Sequence, residues 1–413
     1  MKKKELYIFN GTSRAAFYGI GTYIEQLIKA LKESEWKLNI VNLYAQGDEI
    51  EMTEKEGYRQ INIPFPSRNH PYSNQYYAKL IAYLLKDIIS VDKNTELIFH
   101  LNFMNNYSIV GCLKKMFKCK VILVSHYTEW SFSLLGNYSG LKKILNNPKN
   151  GVKTDWEKSI IRNFKEDIQT IHKVNRFVCV AQHTLDAYCK LGNIRTNKTT
   201  VIHNALEDVY LPLPKEKKLS LRKKYHLEEN TQVILFAGRL DDVKGLSFLI
   251  RAFKKIAKEN PLVRLVIAGE GNFSQWLKEA EECWTRITFT GRLDKKQLYE
   301  FYNIADIGVV CSLHEEFGLV ALEMMMHALP IIVTKTGGLN EIVEENVSGL
   351  KVPVRTRKGQ RRINVYCLSE KMSLLLENPV WAEELGANGR KRFLDKYELS
   401  LFRKKMLDLY SNI

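Results

Sequence analysis

The sequence predicts an α/β protein made of two doubly wound parallel-sheet domains, and three observations lead to that prediction. Short apolar runs alternate with amphipathic stretches from one end of the 413-residue chain to the other, which is the pattern of doubly wound folds. Most of these runs are apolar at consecutive positions, as strands buried on both faces of a parallel sheet are. A polar stretch with two prolines, 205–230, divides the pattern into two halves.

The first half, residues 1–205, is interpreted as a Rossmann-like domain. Strands are expected at 5–9, 38–44, 60–63, 96–101, 120–125, 176–180 and 200–202. Helices are expected at 22–33, 75–90, 106–117, 152–173 and 182–190. The segment 126–150 is interpreted as a long aromatic loop facing the ligand cleft, because long loops at such a rim are usually functional.

The second half, residues 206–397, repeats the scheme. Strands are expected at 232–236, 263–268, 286–290, 306–311 and 330–333. Helices are expected at 245–259, 273–283, 295–303, 318–328 and 339–345, with a helical tail at 368–413. Two such halves place a ligand cleft at the carboxyl ends of their strands.

The composition excludes several classes of protein. Apolar residues make up 45% of the chain and charged residues 26%, which argues against long disorder. No apolar run reaches the roughly 20 residues of a membrane span, and no apolar segment of a signal peptide follows the amino-terminal lysines. The 7 cysteines show no zinc-site spacing. A cytoplasmic protein without a bound metal is expected.

The formal net charge of +16 is uneven along the chain. Residues 114–198 hold 16 basic and 6 acidic side chains, a balance of +10. Such an excess attracts nucleic acid, an anionic membrane surface or an anionic substrate, although a basic surface with no partner remains an alternative. Aromatic and apolar residues of the 126–150 loop favour peripheral membrane contact, namely Trp130, Phe132, Leu134 and Leu135. No nucleic-acid-binding module is recognisable, so no nucleic-acid partner is expected.

The most informative stretch runs from Cys311 to Glu323. A strand ends at Cys311, a polar loop follows, and a helix is expected to begin near Gly318, where free backbone N–H groups form an anion site. Glu323 lies on this otherwise apolar helix, and a carboxylate that accepts two hydrogen bonds suits the vicinal hydroxyls of a ribose. The alternative is a solvated surface glutamate.

Two further loops follow strands of the second half. Arg239 and Lys244 lie five residues apart on a loop that leads into a helix, where a bidentate guanidinium and a point charge can bind phosphate oxygens. Ordinary surface cations are the alternative. The loop with Gly337 and Gly338 can bring backbone N–H groups to a phosphate or a sugar.

The first half offers weaker signals. Gly19 and Gly21 precede the first helix, but Ile24 occupies the third glycine position, so the dinucleotide fingerprint is incomplete. A glycine-rich helix entrance that lines the cleft remains reasonable. His126 follows the strand 120–125 and is expected at the carboxyl edge of the first sheet, where a structural histidine is the alternative to a functional one.

These residues together resemble the retaining GT-B glycosyltransferases of family 4, the group 1 transferases. The resemblance rests on Gly238-Arg239-Leu240, on Lys244-Gly245, and on Glu315 and Glu323 with seven residues between them. It is strong over 200–350 and looser over 1–200. Glu316 stands where the family usually has proline, and the spacing selects Glu315 as the first glutamate of the motif.

The resemblance implies a glycosyltransferase that moves a sugar from a nucleotide-sugar donor to a glycan, lipid-linked or peptide acceptor with retention, as in polysaccharide biosynthesis. It also implies that 1–205 is the acceptor-side domain and 206–397 the domain that binds the nucleotide-sugar donor. The last helix, about 398–413, is expected to pack back on the first domain. No cofactor or metal is expected, because cations and helix N-termini would neutralise the leaving diphosphate. The implied catalytic residues are His126, Glu315, Arg239 and Lys244. The implied donor-binding residues are Arg239, Lys244, Glu315, Phe317, Gly318, Leu319, Glu323, Arg292, Leu293, Gly19 and Gly21.

Two other functions compete with this interpretation. A nucleotide-sugar 2-epimerase shares the architecture but does not need an acceptor-binding segment. A non-enzymatic nucleic-acid-binding protein would use the positive charge, but two glutamates in the cleft would repel a phosphodiester backbone.

Overall fold

A computed structural model describes residues 3–11, 19–65, 74–90, 94–104, 106–146, 153–357 and 360–413. The chain divides into two compact units, one of Met1–Ala205 with Leu399–Ile413 and one of Leu206–Glu398. Each unit is built on its own mostly parallel sheet with helices between the strands. The predicted fold class is therefore confirmed.

The sheet of the first unit has 8 strands in the order β3-β4-β2-β1-β5-β6-β7-β8. All neighbours in it are parallel except β3 and β4, which form an antiparallel hairpin at one edge. The sequence did not predict β3, because its five residues are all exposed and carry no apolar signal. The strands are β1 (Lys3–Asn10), β2 (Trp36–Ala45), β3 (Glu51–Lys55), β4 (Tyr58–Pro64), β5 (Thr95–Leu101), β6 (Lys120–Ser125), β7 (Arg176–Cys179) and β8 (Thr199–Val201).

The helices of this unit cover the sheet on both faces, so the central strands are buried at consecutive positions. In β1, for example, Leu6 through Phe9 are all fully buried. The helices are α1 (Gly19–Leu31), α2 (Asn74–Ile88), α3 (Tyr107–Met116), α4 (Glu129–Ser133), α5 (Tyr138–Asn146), α6 (Asp155–Lys173) and α7 (Gln182–Gly192), with α16 (Leu399–Ser411) added from the end of the chain.

The segment 126–150 differs from its prediction as a long loop. Residues 129–133 and 138–146 form α4 and α5, and 147–150 lie outside the described residues. Trp130 is only 4% exposed, because its ring packs edge-on against Phe164 and Tyr188 and its indole N–H donates to the Tyr188 hydroxyl at 3.2 Å. Trp130 is therefore part of the core and not of a membrane-binding surface, whereas Phe132 is 48% exposed.

The sheet of the second unit has 7 strands in the order β11-β10-β9-β12-β13-β14-β15. All neighbours are parallel except β14 and β15, which close an antiparallel hairpin at the edge. Neither of these two strands is among those that the sequence predicted. The strands are β9 (Gln232–Ala237), β10 (Val263–Ala268), β11 (Ile287–Gly291), β12 (Ile307–Val310), β13 (Ile331–Lys335), β14 (Leu350–Arg357) and β15 (Gln360–Ile363).

The predicted tail 368–413 consists of three helices, because the chain turns at Asn378 and again at Glu398. The first two belong to the second unit and the third, α16, to the first. The helices of the second unit are α8 (Lys215–Lys224), α9 (Leu246–Glu259), α10 (Phe273–Ala280), α11 (Lys295–Ile304), α12 (Leu319–Met326), α13 (Leu339–Ile342), α14 (Val365–Glu377) and α15 (Pro379–Tyr397). Among the described residues, no helix has the length and the apolar character needed to cross a membrane.

Helix α16 packs against α1 through its apolar side chains. Phe402 is 2% exposed, and its ring lies edge-on at 5.7 Å from that of Tyr23. Tyr410 is fully buried, and its hydroxyl is 2.9 Å from Nδ1 of His100 on β5. The last helix is therefore an integral layer of the first unit.

Replacing Phe402 with alanine should lower the free energy of unfolding of the first unit by about 3–5 kcal/mol, because a buried ring is exchanged for a cavity. The exposed Lys404 on the same helix provides the control, and Lys404→Ala should change that free energy by less than about 0.5 kcal/mol. Urea unfolding followed by circular dichroism measures both values. Equal midpoints for the two variants would contradict the packing role of α16.

Candidate functional site

Three loops meet at the carboxyl end of the second sheet, because they follow the parallel strands β9, β12 and β13. The amide of Leu313 donates to the carbonyl of Val243 at 2.7 Å. The amide of Gly338 donates to the carbonyl of Glu315 at 3.0 Å. The loop after β12 therefore lies between the other two and is hydrogen-bonded to both.

Two glycines allow these loops to approach so closely. Gly245 has φ 72°, and a Cβ there would lie 2.0 Å from the carbonyl oxygen of Cys311. A Cβ on Gly338 would lie 2.4 Å from Cα of Phe317. Any side chain at either position would push the backbones apart.

The approach brings Lys244 and Glu315 together. The ammonium of Lys244 donates to Oε2 of Glu315 at 2.6 Å, and the hydroxyl of Ser312 donates to the same oxygen at 3.0 Å. Both charged side chains are about one-fifth exposed. Burial acts to raise the pKa of the Glu315 carboxyl, but Lys244, Ser312 and His314 outweigh it and hold that pKa below its ordinary value. Glu315 is therefore a carboxylate at neutral pH.

Arg239 lies on the same loop as Lys244 and is paired differently. Its guanidinium is 3.0 Å from Oδ2 of Asp241, and about one-third of each side chain is exposed. Asp241 also caps the turn before α9 by accepting from the amide of Lys244. The loop thus carries two cations, each already in contact with a carboxylate.

Glu323 is 5% exposed, so it is not the solvated surface residue that the sequence left as an alternative. Its Oε2 accepts from the hydroxyl of Tyr302 at 3.0 Å, and its Oε1 is ion-paired with Lys295. The helix that carries it, α12, begins after Gly318, whose φ of 115° suits only glycine and whose absent Cβ leaves room for Leu339. Lys295 and Tyr302 were not predicted, because neither belongs to a motif and both come from another helix, α11.

The remaining residues that were predicted to bind the donor belong to the same unit. Phe317 is buried and Leu319, the first residue of α12, is partly exposed. Leu293 and the exposed Arg292 lie between β11 and α11, and the Arg292 guanidinium is 3.9 Å from Glu270. Each of these residues follows the carboxyl end of a strand.

Glu316, the neighbour of the selected glutamate, is 8% exposed and its Oε1 lies 3.4 Å from Nε2 of the buried His314. Glu315, by contrast, contacts Lys244. The two adjacent glutamates therefore have different environments, and the pairing with a loop cation belongs to Glu315.

In the first unit, His126 follows β6 at the carboxyl edge of the sheet, as predicted. Its Nε2 is 3.0 Å from Oδ1 of Asn102, and its ring lies edge-on at 4.3 Å from that of Tyr23. Burial and the neighbouring His100 lower the pKa of the His126 imidazole to about 3. The ring is therefore neutral at physiological pH, and its orientation is set by partners that the sequence analysis did not identify.

The glycine-rich helix entrance lies on the same unit. Gly19 is exposed and begins α1, and Gly21 is partly exposed in its first turn. Apart from Gly19 itself, its two chain neighbours and the nearby backbone of its own helix, no described atom lies within 4 Å of where a Cβ on Gly19 would be. Residues 12–18, which precede it, lie outside the described residues.

Two family profiles match the chain. The profile "Glycosyl transferases group 1" matches residues 217–392, and the profile "Glycosyltransferase Family 4" matches residues 17–208. The chain is 27% identical over 262 residues to an uncharacterized glycosyltransferase of Methanocaldococcus jannaschii, covering 60% of this chain and 64% of that protein. The chain thus spans less than two thirds of this curated relative.

Solved structures share the fold over almost the whole chain. Sucrose-phosphate synthase from Thermosynechococcus elongatus superposes with a TM-score of 0.77 at 19% identity, covering 99% of this chain and 98% of that one. HepE of Anabaena, in complex with UDP and glucose, superposes with a TM-score of 0.70 at 16% identity and full coverage of both chains, 100%.

A matched pH experiment tests the Lys244–Glu315 pair. The pKa of Glu315 is lower in the folded protein than its ordinary 4.5. As the pH falls, the unfolded chain therefore binds more protons than the folded protein does. The contribution of the ionised Glu315 carboxylate to the free energy of unfolding is therefore complete above the pKa that Glu315 has in the unfolded chain. It is lost as the pH falls through the lower pKa that Glu315 has in the folded protein. Urea midpoints between pH 3 and 7 should fall less steeply in Glu315→Gln than in the wild type. If the urea midpoint depended on pH equally in Glu315→Gln and the wild type, the lowered pKa of Glu315 would be contradicted.

The two profiles together span most of the chain, and the loops that they include carry the paired Lys244, Glu315 and Glu323 described above. The chain therefore belongs to the group 1 glycosyltransferases, family 4, and has the GT-B fold.

Proposed function

We propose that this protein transfers a sugar from a nucleotide-sugar donor to a glycan, lipid-linked or peptide acceptor, with retention of the anomeric configuration. The observation that carries the proposal is the cluster of loops after β9, β12 and β13, which holds Lys244 at 2.6 Å from Glu315. A cation and a carboxylate in contact can serve the two parts of one donor, the anionic diphosphate and a neutral sugar hydroxyl. The complex of HepE with UDP and glucose supports a donor of this class.

The diphosphate is assigned to Arg239 and Lys244. Negative charge develops on the leaving diphosphate as the bond to the sugar breaks, so fixed cations stabilise the transition state more than the bound donor. Lys244 can turn from Glu315 toward a phosphate oxygen, because its side chain is 21% exposed. In this proposal the two cations perform the neutralisation, and no metal is assigned to it.

Glu323 is assigned to the ribose hydroxyls and Glu315 to a hydroxyl of the donor sugar. Glu323 accepts from Tyr302 and is paired with Lys295, so its carboxylate is held in one orientation inside the unit. Glu315 is a carboxylate because Lys244 lowers its pKa. Arg292 and Leu293 are assigned to the base, and Phe317, Gly318 and Leu319 to the phosphate and sugar.

His126 is assigned to the sugar or to the orientation of the acceptor. A neutral imidazole can donate or accept a hydrogen bond without adding charge, and the pKa of about 3 keeps it neutral. Retention would follow a front-face route in which the leaving phosphate accepts the proton of the acceptor.

The experiment that tests the function is a calorimetric screen of nucleoside diphosphates and their sugars, followed by a transfer assay with the donor that binds. Transfer to an added acceptor supports the proposal, and nuclear magnetic resonance of the product reports the anomeric configuration. Turnover of the donor without an acceptor would instead indicate a 2-epimerase.

Glu323→Gln should weaken the affinity for the nucleoside diphosphate about 10- to 150-fold, since one charged hydrogen bond contributes about 1.5–3 kcal/mol. Arg239→Ala and Lys244→Ala should weaken it further and also lower kcat, because these cations act on the leaving group. Calorimetry and initial rates give the two quantities.

Glu316→Gln is the control for these variants. Oε1 of the buried Glu316 lies 3.4 Å from Nε2 of His314, so the loss of this carboxylate should lower stability but leave the nucleotide affinity close to that of the wild type. If Glu316→Gln abolished transfer and Glu315→Gln did not, the assignment of the first motif glutamate would be wrong by one residue.

His126→Asn should lower kcat. Any decrease of the rate toward acidic pH that the wild type shows should remain in the variant. The pKa of His126 is about 3, so the imidazole does not titrate in the ordinary histidine range near pH 6.5. Rates measured from pH 5 to 9 in both proteins test this. A limb near pH 6 that vanished in His126→Asn would show that His126 is protonated during the reaction.

A further inference from the structure

The antiparallel hairpin of β14 and β15 lies against the loops of the candidate site. In its register Thr356 lies opposite Arg361, and Val354 opposite Ile363. Cδ1 of Ile363 lies 3.1 Å from the point that a Cβ on Gly245 would occupy. The hairpin therefore reaches back from the edge of the sheet to the residue that follows Lys244.

Arg361 joins this hairpin to two of the three loops. Its Nη2 donates to the hydroxyl oxygen of Thr336 at 2.9 Å and lies 3.4 Å from the carbonyl oxygen of Leu313. The hydroxyl of Thr336 donates in turn to that carbonyl at 3.3 Å. One guanidinium thus holds the loop after β12 and the loop after β13 in a single arrangement.

Leu313 links these contacts to the Lys244–Glu315 pair. Its carbonyl faces Arg361, and its amide donates to the carbonyl of Val243, the neighbour of Lys244. On its other side is Ser312, whose hydroxyl donates to Oε2 of Glu315. A displacement of the Leu313 peptide would therefore move the backbone that carries each member of the pair.

The guanidinium of Arg361 is held by neutral oxygens. Its Nε is buried and, within the described ranges, has no hydrogen-bond partner. Burial also lowers the pKa of this guanidinium. Both oxygens are contacted by one nitrogen, Nη2, so these two contacts and the burial of Nε set the direction of the guanidinium.

We propose that Arg361 is a positioning residue of the donor site, which holds the loops of Lys244 and Glu315 in the geometry that receives the diphosphate. It acts through Leu313 and Thr336 and not by contact with the donor. The part that concerns the diphosphate rests on the proposed function, whereas the positioning of the loops is a property of the protein without ligand.

Hydrogen–deuterium exchange of the unliganded full chain tests the positioning. In Arg361→Gln, the amides of 242–246 and 311–316 should exchange about 10-fold faster, as expected when one charged hydrogen bond is lost. Arg362→Gln is the matched control, because Arg362 is exposed on the same strand and donates to Gln360. In Arg362→Gln, the amides of 242–246 and 311–316 should exchange at the wild-type rate. Unchanged exchange of both segments in Arg361→Gln would overturn the proposal.

Calorimetry tests the consequence for the site. Arg361→Gln should bind the nucleoside diphosphate about 10-fold more weakly and bind the parent nucleoside as the wild type does, because Lys244 is assigned to the diphosphate and Glu323 to the ribose. A general structural defect would weaken both ligands. Equal affinities of Arg361→Gln and the wild type for the diphosphate would overturn the role at the donor site.

Thr336→Val provides a second route to the same result if Arg361→Gln fails to fold. It removes the hydroxyl that accepts from Arg361 and should give the same pattern of exchange and affinity. A wild-type protein that binds no nucleoside diphosphate would overturn the proposed function, while the exchange measurement would still decide whether Arg361 positions the loops.

Discussion

The close approach of the loops after β9 and β12 is the constraint on which the rest of the candidate site depends. The amide of Leu313 donates to the carbonyl of Val243 at 2.7 Å, and the backbone at Gly245 lies directly against Cys311. This contact places Lys244 beside Glu315 although the two are separated by 71 positions in the chain. Without it, each side chain would be an ordinary surface charge, whose pairing contributes at most about 1 kcal/mol.

The site is also an arrangement of charges that balance one another before any ligand binds. Glu315 is paired with Lys244, Glu323 with Lys295, and Arg239 with Asp241. A partly buried carboxylate is costly unless a cation lies beside it, so the free protein stabilises its glutamates with cations that a diphosphate would also attract. Under the proposed function, donor binding is an exchange of partners, in which Lys244 leaves or shares a carboxylate. The proposed donor supplies hydroxyl groups for the glutamates as well as phosphate oxygens for the cations.

In the first unit, the C-terminal helix α16 has a similar supporting role for His126. Tyr410 contacts His100, Phe402 packs on Tyr23, and Tyr23 packs on the ring of His126. Burial among these rings lowers the pKa of His100 to about 3, and burial together with the neighbouring His100 lowers the pKa of His126 to about 3. Helix α16 thus helps to form the surroundings of a histidine that lies nearly three hundred positions earlier in the chain.

The sequence by itself determined the fold class, most of the parallel strands, and the positions of Lys244, Glu315 and Glu323, because apolar strands and short motifs are local patterns. It did not predict β15, since Arg361 and its neighbours are polar and an edge strand needs no apolar run. The helices in 126–150 were also missed, and so was Lys295 as the partner of Glu323, because it lies on another helix. Only the tertiary structure decided which charges meet and which histidines lose their protons, because pairing and desolvation depend on distances between segments that are remote in the chain.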